Sequence, residues 1–327
     1  MPDEHKRKKR RILFCGLVLT LLLIVFGGEE IQAKTFTIGI VTSVSIHKST
    51  VEGFKAGMAQ HGYVGDKNIK YIYNGLLGSD TQAIDAEIKG LMAQDIDLLV
   101  SVGTLPSVRA KDLVEPDIPI VFSAFATPVE RGIVKSIRNP GGNVTGVRLV
   151  NHIPKALEWL IMIAPGANKV YVPYSPEDEA TRVYLEGLVE TASLLGIKME
   201  LHQVYSVEEA VTAIETLRGD IDAVFRIPSP TLDPRNEELS RASIERGIPI
   251  GASLPLDESV LMTYGSDFFE TGKQTARLVH QVLEGIKPAD LPVETAESFL
   301  TINLRTAEKI GLEIPNDILI YANKIIR

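Results

Sequence analysis

Leu98-Leu-Val-Ser-Val102 is apolar at nearly every position and shows no alternation. A strand of that kind has both faces buried, which requires a parallel sheet with helices on either side. Gly103-Thr104 then turns into a helical stretch, and the same order of strand and helix recurs along the chain. Thr35-Phe-Thr-Ile-Gly-Ile-Val41 reads as the first strand. Val51, Phe54 and Met58 recur at helical spacing within residues 49–61, and Gly62 ends that stretch. Residues 68–73 alternate as a strand. Asp80 caps a helix to about residue 93, with Ile84, Ile88 and Leu91 on one face. A strand at 118–122, a helix at 129–137, a Pro140-Gly-Gly-Asn143 turn and a strand at 144–147 complete the first half.

The order restarts after a boundary near 149–152. Helices are expected at 154–164, 177–195, 207–218 and 234–246, and strands at 169–172, 198–204, 223–227 and 249–252. Two such halves make an α/β protein with two parallel sheets. A long helix at 267–284 and a strand at 298–304 have no obvious place in either half. They find one if the chain crosses back, the helix covering the first lobe and the strand joining the second. Several crossovers between two lobes make a hinge.

The front of the chain reads as an export signal. His5-Lys-Arg-Lys-Lys-Arg-Arg11 is basic, and the apolar run Ile12–Phe26 is shorter than the roughly 20 residues of a spanning helix. Ala33 suits the last position before cleavage. Ile31 is larger than an A-x-A site prefers, which leaves retention as an anchor open. Cys15 lies inside the apolar run and no Cys lies near Ala33, so lipid attachment is not expected and the mature chain has no cysteine. An exported chain lacks access to cytosolic ATP and NAD.

Removing 33 residues from 327 leaves 294, suited to two medium domains. The leader carries six of the Lys and Arg and four of the Asp and Glu. The remainder has 28 basic against 38 acidic residues, a balance of −10. An acidic chain whose one basic cluster belongs to its leader argues against nucleic acid.

In open parallel sheets, ligands sit beyond the carboxyl ends of the strands. By that rule the candidate ligand-binding residues are Ser43, His47, Gly103, Thr104, Ser123, Thr127, Tyr174, Ser175, Arg226, Ser229, Ser253 and Ser266. Thr104, Thr127, Ser175 and Ser229 stand foremost by position. Helix N-termini behind these loops offer free N–H groups to a carboxylate or other anion; ordinary helix capping is the alternative for each Ser and Thr. His47 is either a ligand contact or a partly solvated loop residue. Arg226 either grips an anionic ligand or pairs with an acidic neighbour. Phe125 lies near a strand end or in the core, and Trp159 is read as packing. Asp257 and Glu258 are adjacent and read as a solvated turn, not an acid/base pair. The chain has no H-E-x-x-H, G-x-S-x-G, Walker loop or G-x-G-x-x-G, so no catalytic residue, metal or cofactor is expected. Asn143-Val-Thr145 matches a glycosylation acceptor, a motif short enough to arise by chance.

An ordered set of segments resembles one family. Glu52-Gly-Phe-Lys-Ala-Gly57, Pro119-Ile-Val-Phe-Ser-Ala124, Pro140-Gly-Gly-Asn-Val-Thr-Gly-Val147, Gly247-Ile-Pro-Ile-Gly-Ala252, Tyr264-Gly-Ser-Asp-Phe-Phe-Glu-Thr-Gly272 and Thr301-Ile-Asn-Leu304 are similar to the ABC-transporter substrate-binding proteins of the tryptophan/tyrosine-binding type. The resemblance spans nearly all of the mature chain. It implies a type I periplasmic-binding fold: two Rossmann-like lobes with parallel sheets, three hinge crossovers and a ligand in the cleft. The implied division is a leader at 1–33, one lobe at 34–148 plus 265–290, and a second at 149–264 plus 291–327. It further implies an exported, monomeric binding protein that captures a small-molecule ligand by hinge closure and delivers it to an ABC permease. The alternatives are a ligand-sensing subunit for a membrane receptor and an exported α/β enzyme. One departure bears on the ligand. Members of the family often read Thr-Asp-Pro where this chain has Ala126-Thr127-Pro128, and an acid or amide is common where it has Pro228-Ser229-Pro230. Without those carboxylates, the expectation is a neutral or anionic ligand instead of a zwitterionic amino acid.

Overall fold

The computed structural model describes residues 34–65, 67–178, 181–254 and 259–327. The leader with Cys15 and Ala33, and the Asp257–Glu258 pair, lie outside these residues.

The first half runs β1 (Phe36–Thr42), α1 (Lys48–Gln60), β2 (Ile69–Ile72), α2 (Thr81–Met92), β3 (Leu98–Val102), α3 (Thr104–Leu113), β4 (Ile120–Phe125) and β5 (Val144–Arg148). The second runs α4 (Ile153–Ile163), β6 (Lys169–Tyr174), α5 (Thr181–Leu195), β7 (Lys198–Gln203), α6 (Val207–Glu215), β8 (Ala223–Arg226), α7 (Asn236–Glu245), β9 (Ile250–Ala252) and β10 (Met262–Ser266). The tail adds α8 (Phe268–Leu283), β11 (Glu294–Thr295), β12 (Ser298–Asn303) and β13 (Lys324–Ile326). The strands form two sheets, ordered β11-β5-β4-β3-β1-β2 and β13-β12-β10-β9-β8-β6-β7. Every pairing is parallel except β10 with β12.

Each sheet carries one apolar cluster on either face. β3 and β4 are buried throughout because they divide their side chains between the two clusters of the first sheet. Asp80 caps α2 by accepting from Gln82 N at 2.9 Å. α8 returns to the first sheet and packs tightly on α1. That approach depends on two glycines: a Cβ on Gly53 would come 1.9 Å from the Phe269 carbonyl oxygen, and one on Gly272 would come 2.1 Å from that of Thr50.

The chain thus passes between the sheets three times, at residues 149–152, at Asp267 and at 296–297. The sequence reading put the second and third returns at 265 and 291. They fall later because β10 runs on to Ser266 in the second sheet, and β11 still pairs with β5 in the first. The second passage is one residue long, and it doubles as a cap: Asp267 accepts from Phe269 N at 2.8 Å and Glu270 N at 3.0 Å.

The helix expected at 129–137 does not form. Residues 128–134 make turns in which Ile133 N and Val134 N both bond the Pro128 carbonyl, Gly132 is left-handed at φ 69°, and Lys135 N bonds Pro140 O. Among the described residues, no helix is long and apolar enough to cross a membrane.

Candidate functional site

The carboxyl ends of β1, β3 and β4 present one group of candidates. His47 sits on a short turn after β1, half-buried, with its ring against Gly103 and edge-on to Phe268 at 5.9 Å. Gly103 opens α3 at φ 94°, and a Cβ there would come 2.5 Å from His47 Cε1, so no other residue fits. Burial pushes His47 down to about 4, which keeps the imidazole neutral at pH 7. Among the described residues its Nδ1 finds no hydrogen-bond partner. Thr104 is exposed at the first turn of α3, and Thr127 is exposed beyond β4. Ser43 is buried, and its carbonyl accepts from Gly78 N at 2.9 Å. Ser123 turns the other way: its hydroxyl lies 2.7 Å from Thr275 Oγ1 on α8, where it serves packing.

The ends of β6, β8 and β9 present the second group, and here the structure supplies what the sequence did not reveal. Asp178, from the loop after β6, accepts from the Ser229 hydroxyl, from Thr231 Oγ1 at 2.9 Å and from Thr231 N at 3.3 Å. Asp233 accepts from Arg226 Nη2 at 2.8 Å and from Ser229 N at 3.1 Å. The loop Pro228-Ser229-Pro230 contains no acid of its own, yet two carboxylates converge on Ser229. Their separations from it, 51 and 4 positions along the chain, follow no spacing pattern that marks a site. Arg226 is buried and pairs with Asp233 and with Asn236 Oδ1, so acidic pairing is the reading it fulfils. Two carboxylates against one guanidinium leave this end of the second sheet negative. Burial pushes Asp233 up to about 6 even though Arg226 pulls it down.

Ser253 is buried, and among the described residues its hydroxyl has no partner; the same holds for Thr181 Oγ1 at the start of α5. A buried hydroxyl left unpaired costs about 1–3 kcal/mol. Ser175 instead caps its own turn by accepting from Glu177 N at 3.3 Å. Tyr174 is half-buried against the core, Phe125 is fully buried, and Trp159 packs between Tyr264 at 6.3 Å and Tyr321 at 5.7 Å. Asn143 and Thr145 bond the surrounding backbone.

Ser266 belongs to the passages between the sheets. Its hydroxyl lies 2.8 Å from His152 Nε2, and Ser298 Oγ lies 3.4 Å from His152 Nδ1. One imidazole therefore bonds residues flanking the other two passages. The structure brings Arg226 together with Ser229, and His47 with Gly103. It sends Ser123 to packing and Ser266 to the passages between the sheets.

Known proteins share this plan. The family model for ABC transporter substrate binding protein matches residues 37–326. A tyrosine-binding protein of Clostridioides difficile (strain R20291) is 29% identical over 268 residues, covering 80% of this chain and 76% of its own. Of solved structures, an ABC domain in complex with L-Trp from Streptococcus pneumonia superposes with TM-score 0.70 and 25% identity, covering 90% of this chain and 100% of that one. The ligand-free, open structure of a substrate-binding protein with adhesive properties from Clostridium difficile gives TM-score 0.75 at 23% identity, covering 90% and 99%. With its two parallel-dominated sheets, three passages and family-wide match, the chain belongs to the ABC transporter substrate-binding protein family.

Proposed function

We propose that the chain is an exported binding protein that captures an amino-acid ligand between its two lobes and hands it to an ABC permease. The observation that carries the ligand class is the convergence of Asp178 and Asp233 on Ser229. A negative wall at the second sheet suits an ammonium group. At the first sheet, the exposed start of α3 at Thr104 offers backbone N–H groups to a carboxylate. A zwitterion can then bridge the two sides and favour the closed form, because it gains its second set of contacts only there. A tyrosine-binding relative and a Trp-bound structural neighbour support this class over the neutral or anionic ligand that the loop sequences favour.

The lobes in this reading are residues 34–148 with α8 and β11, and residues 149–266 with β12 and β13. The binding protein works as a monomer, and the leader is removed near Ala33. The test is calorimetric titration of residues 34–327 with amino acids, sugars, nucleobases and small carboxylates. Binding confined to amino acids supports the reading. Binding confined to sugars or to simple carboxylates overturns the ligand class.

A further inference from the structure

Ala124 is left-handed, at φ 54°; among the described residues the one other non-glycine with positive φ is Asp95. It lies in β4, where pairing with β5 slips. Phe122 faces Gly146 and Phe125 faces Arg148, so β4 uses one residue more than β5 over this stretch. That is a β-bulge. In a regular strand, side chains three positions apart point to opposite faces. Here Phe122 and Phe125 enter the same apolar cluster, with rings 5.7 Å apart and edge-on. Ser123 and Ala124 both take the opposite face, Ser123 bonding Thr275 and Ala124 joining the cluster that contains Ala276 and Val279. Past the bulge, the Phe125 carbonyl accepts from Leu149 N at 3.2 Å, where the first passage begins. Ala126 and Thr127 then emerge exposed, and the Thr127 carbonyl accepts from Arg131 N at 3.1 Å.

We infer that Ala124 is a positioning residue for ligand capture: its left-handed backbone sets the register that presents Thr127 and ties that loop to the first passage. The inference rests on reading the strand ends as the ligand site. A strained backbone persists only where its surroundings over-determine it, and such residues gather at functional sites. Without the extra residue, each later side chain would turn to the other face. Ala126 would then stand where Thr127 stands, and Phe125 would face α8. Alanine tolerates the left-handed region poorly, glycine adopts it freely, and a β-branched residue is excluded from it.

The test is amide hydrogen exchange on ligand-free residues 34–327, comparing the parent protein with Ala124→Gly and Ala124→Val. Glycine keeps the bulge without the strain, so Leu149 and Arg131 should stay protected and the melting temperature should not fall. Valine should speed exchange at Leu149 and Arg131 tenfold or more, while amides of β1 and β3 keep their protection. Unchanged exchange at both amides in the valine variant overturns the inference, as does equal acceleration throughout the sheet. If valine prevents folding, the glycine variant decides alone: a lowered melting temperature, or lost protection at Leu149, overturns it. Titration of Thr127→Ala with L-tyrosine and L-tryptophan tests the ligand site separately. Affinity unchanged by Thr127→Ala overturns Ala124 as a positioning residue for capture, whatever the exchange pattern shows of the register.

Discussion

His152 Nε2 lies 2.8 Å from Ser266 Oγ, joining the first passage between the sheets to the second. Ser298 approaches the other ring nitrogen at 3.4 Å from the third passage. Ser266 and Ser298 are themselves paired across β10 and β12. One side chain therefore bonds residues at all three passages between the sheets.

His152→Ala removes both bonds and leaves the buried Ser266 hydroxyl without its partner. The expected loss is about 1–3 kcal/mol of stability. His152→Gln, which keeps donor and acceptor capacity, should recover part of it. Chemical denaturation of the three proteins measures this. Equal midpoints would show that the hinge does not depend on His152.

His47 and Asp233 tilt stability in opposite directions over one pH window. The folded-state value of His47, about 4, lies below its ordinary 6.5. Its stabilising contribution is complete above about pH 6.5 and is lost as pH falls towards 4. Asp233, at about 6, lies above its ordinary 3.8. Its contribution is complete below about pH 3.8 and is lost as pH rises through 6. His47→Gln should therefore reduce the acid-side fall in unfolding free energy, and Asp233→Asn should reduce its decline towards neutrality, each by an amount on the order of 1–3 kcal/mol. Melting curves from pH 4 to 7.5 that run parallel in all three proteins would contradict both assignments.

Asp178→Asn keeps the shape of the loop and removes one negative charge beside Ser229. Affinity for an amino acid should fall about tenfold or more, the scale of a hydrogen bond to a charged group. Affinity for the matching uncharged analogue that lacks the ammonium should change little. Calorimetry on both ligands checks this, and an equal loss for the two would place the effect in folding instead of charge.

Gly53→Ala drives a methyl group into the backbone of α8, 1.9 Å from the Phe269 oxygen. Overpacking of this kind costs about 1–3 kcal/mol. Gly90→Ala is the contrast. That glycine lies in α2, and a Cβ there meets nothing within 4 Å. It should stabilise by up to about 1 kcal/mol. Denaturation midpoints that move the same way in both variants would contradict the tight α1–α8 contact.

Most of the sheet core was legible because β1, β3, β4 and β8 are short apolar runs ended by turn residues, and burial on both faces demands that pattern. The unplaced late helix also pointed correctly to a chain that crosses back. β10 was not legible: Met262-Thr-Tyr-Gly-Ser266 holds two polar residues and a glycine, and it is a strand because β9 and β12 flank it. The helix expected at 129–137 failed because Pro128 and Pro140 carbonyls capture the N–H groups that a helix would need. Strand-end position singled out Ser229 and Arg226 as candidates but not Asp178, whose meeting with Ser229 is a tertiary contact across 51 positions. Ser123 and Ser266 satisfied the same positional rule and went elsewhere, since position at a strand end does not fix the face to which a side chain turns.

The central claim is capture of an amino acid by closure of two lobes about the His152 hinge. Small-angle scattering of residues 34–327 during titration with an amino-acid panel tests it most directly. The account predicts a saturable fall in radius of gyration with at least one amino acid, and none with sugars. Saturable binding of an amino acid without any contraction would contradict closure, and contraction with sugars alone would contradict the ligand class.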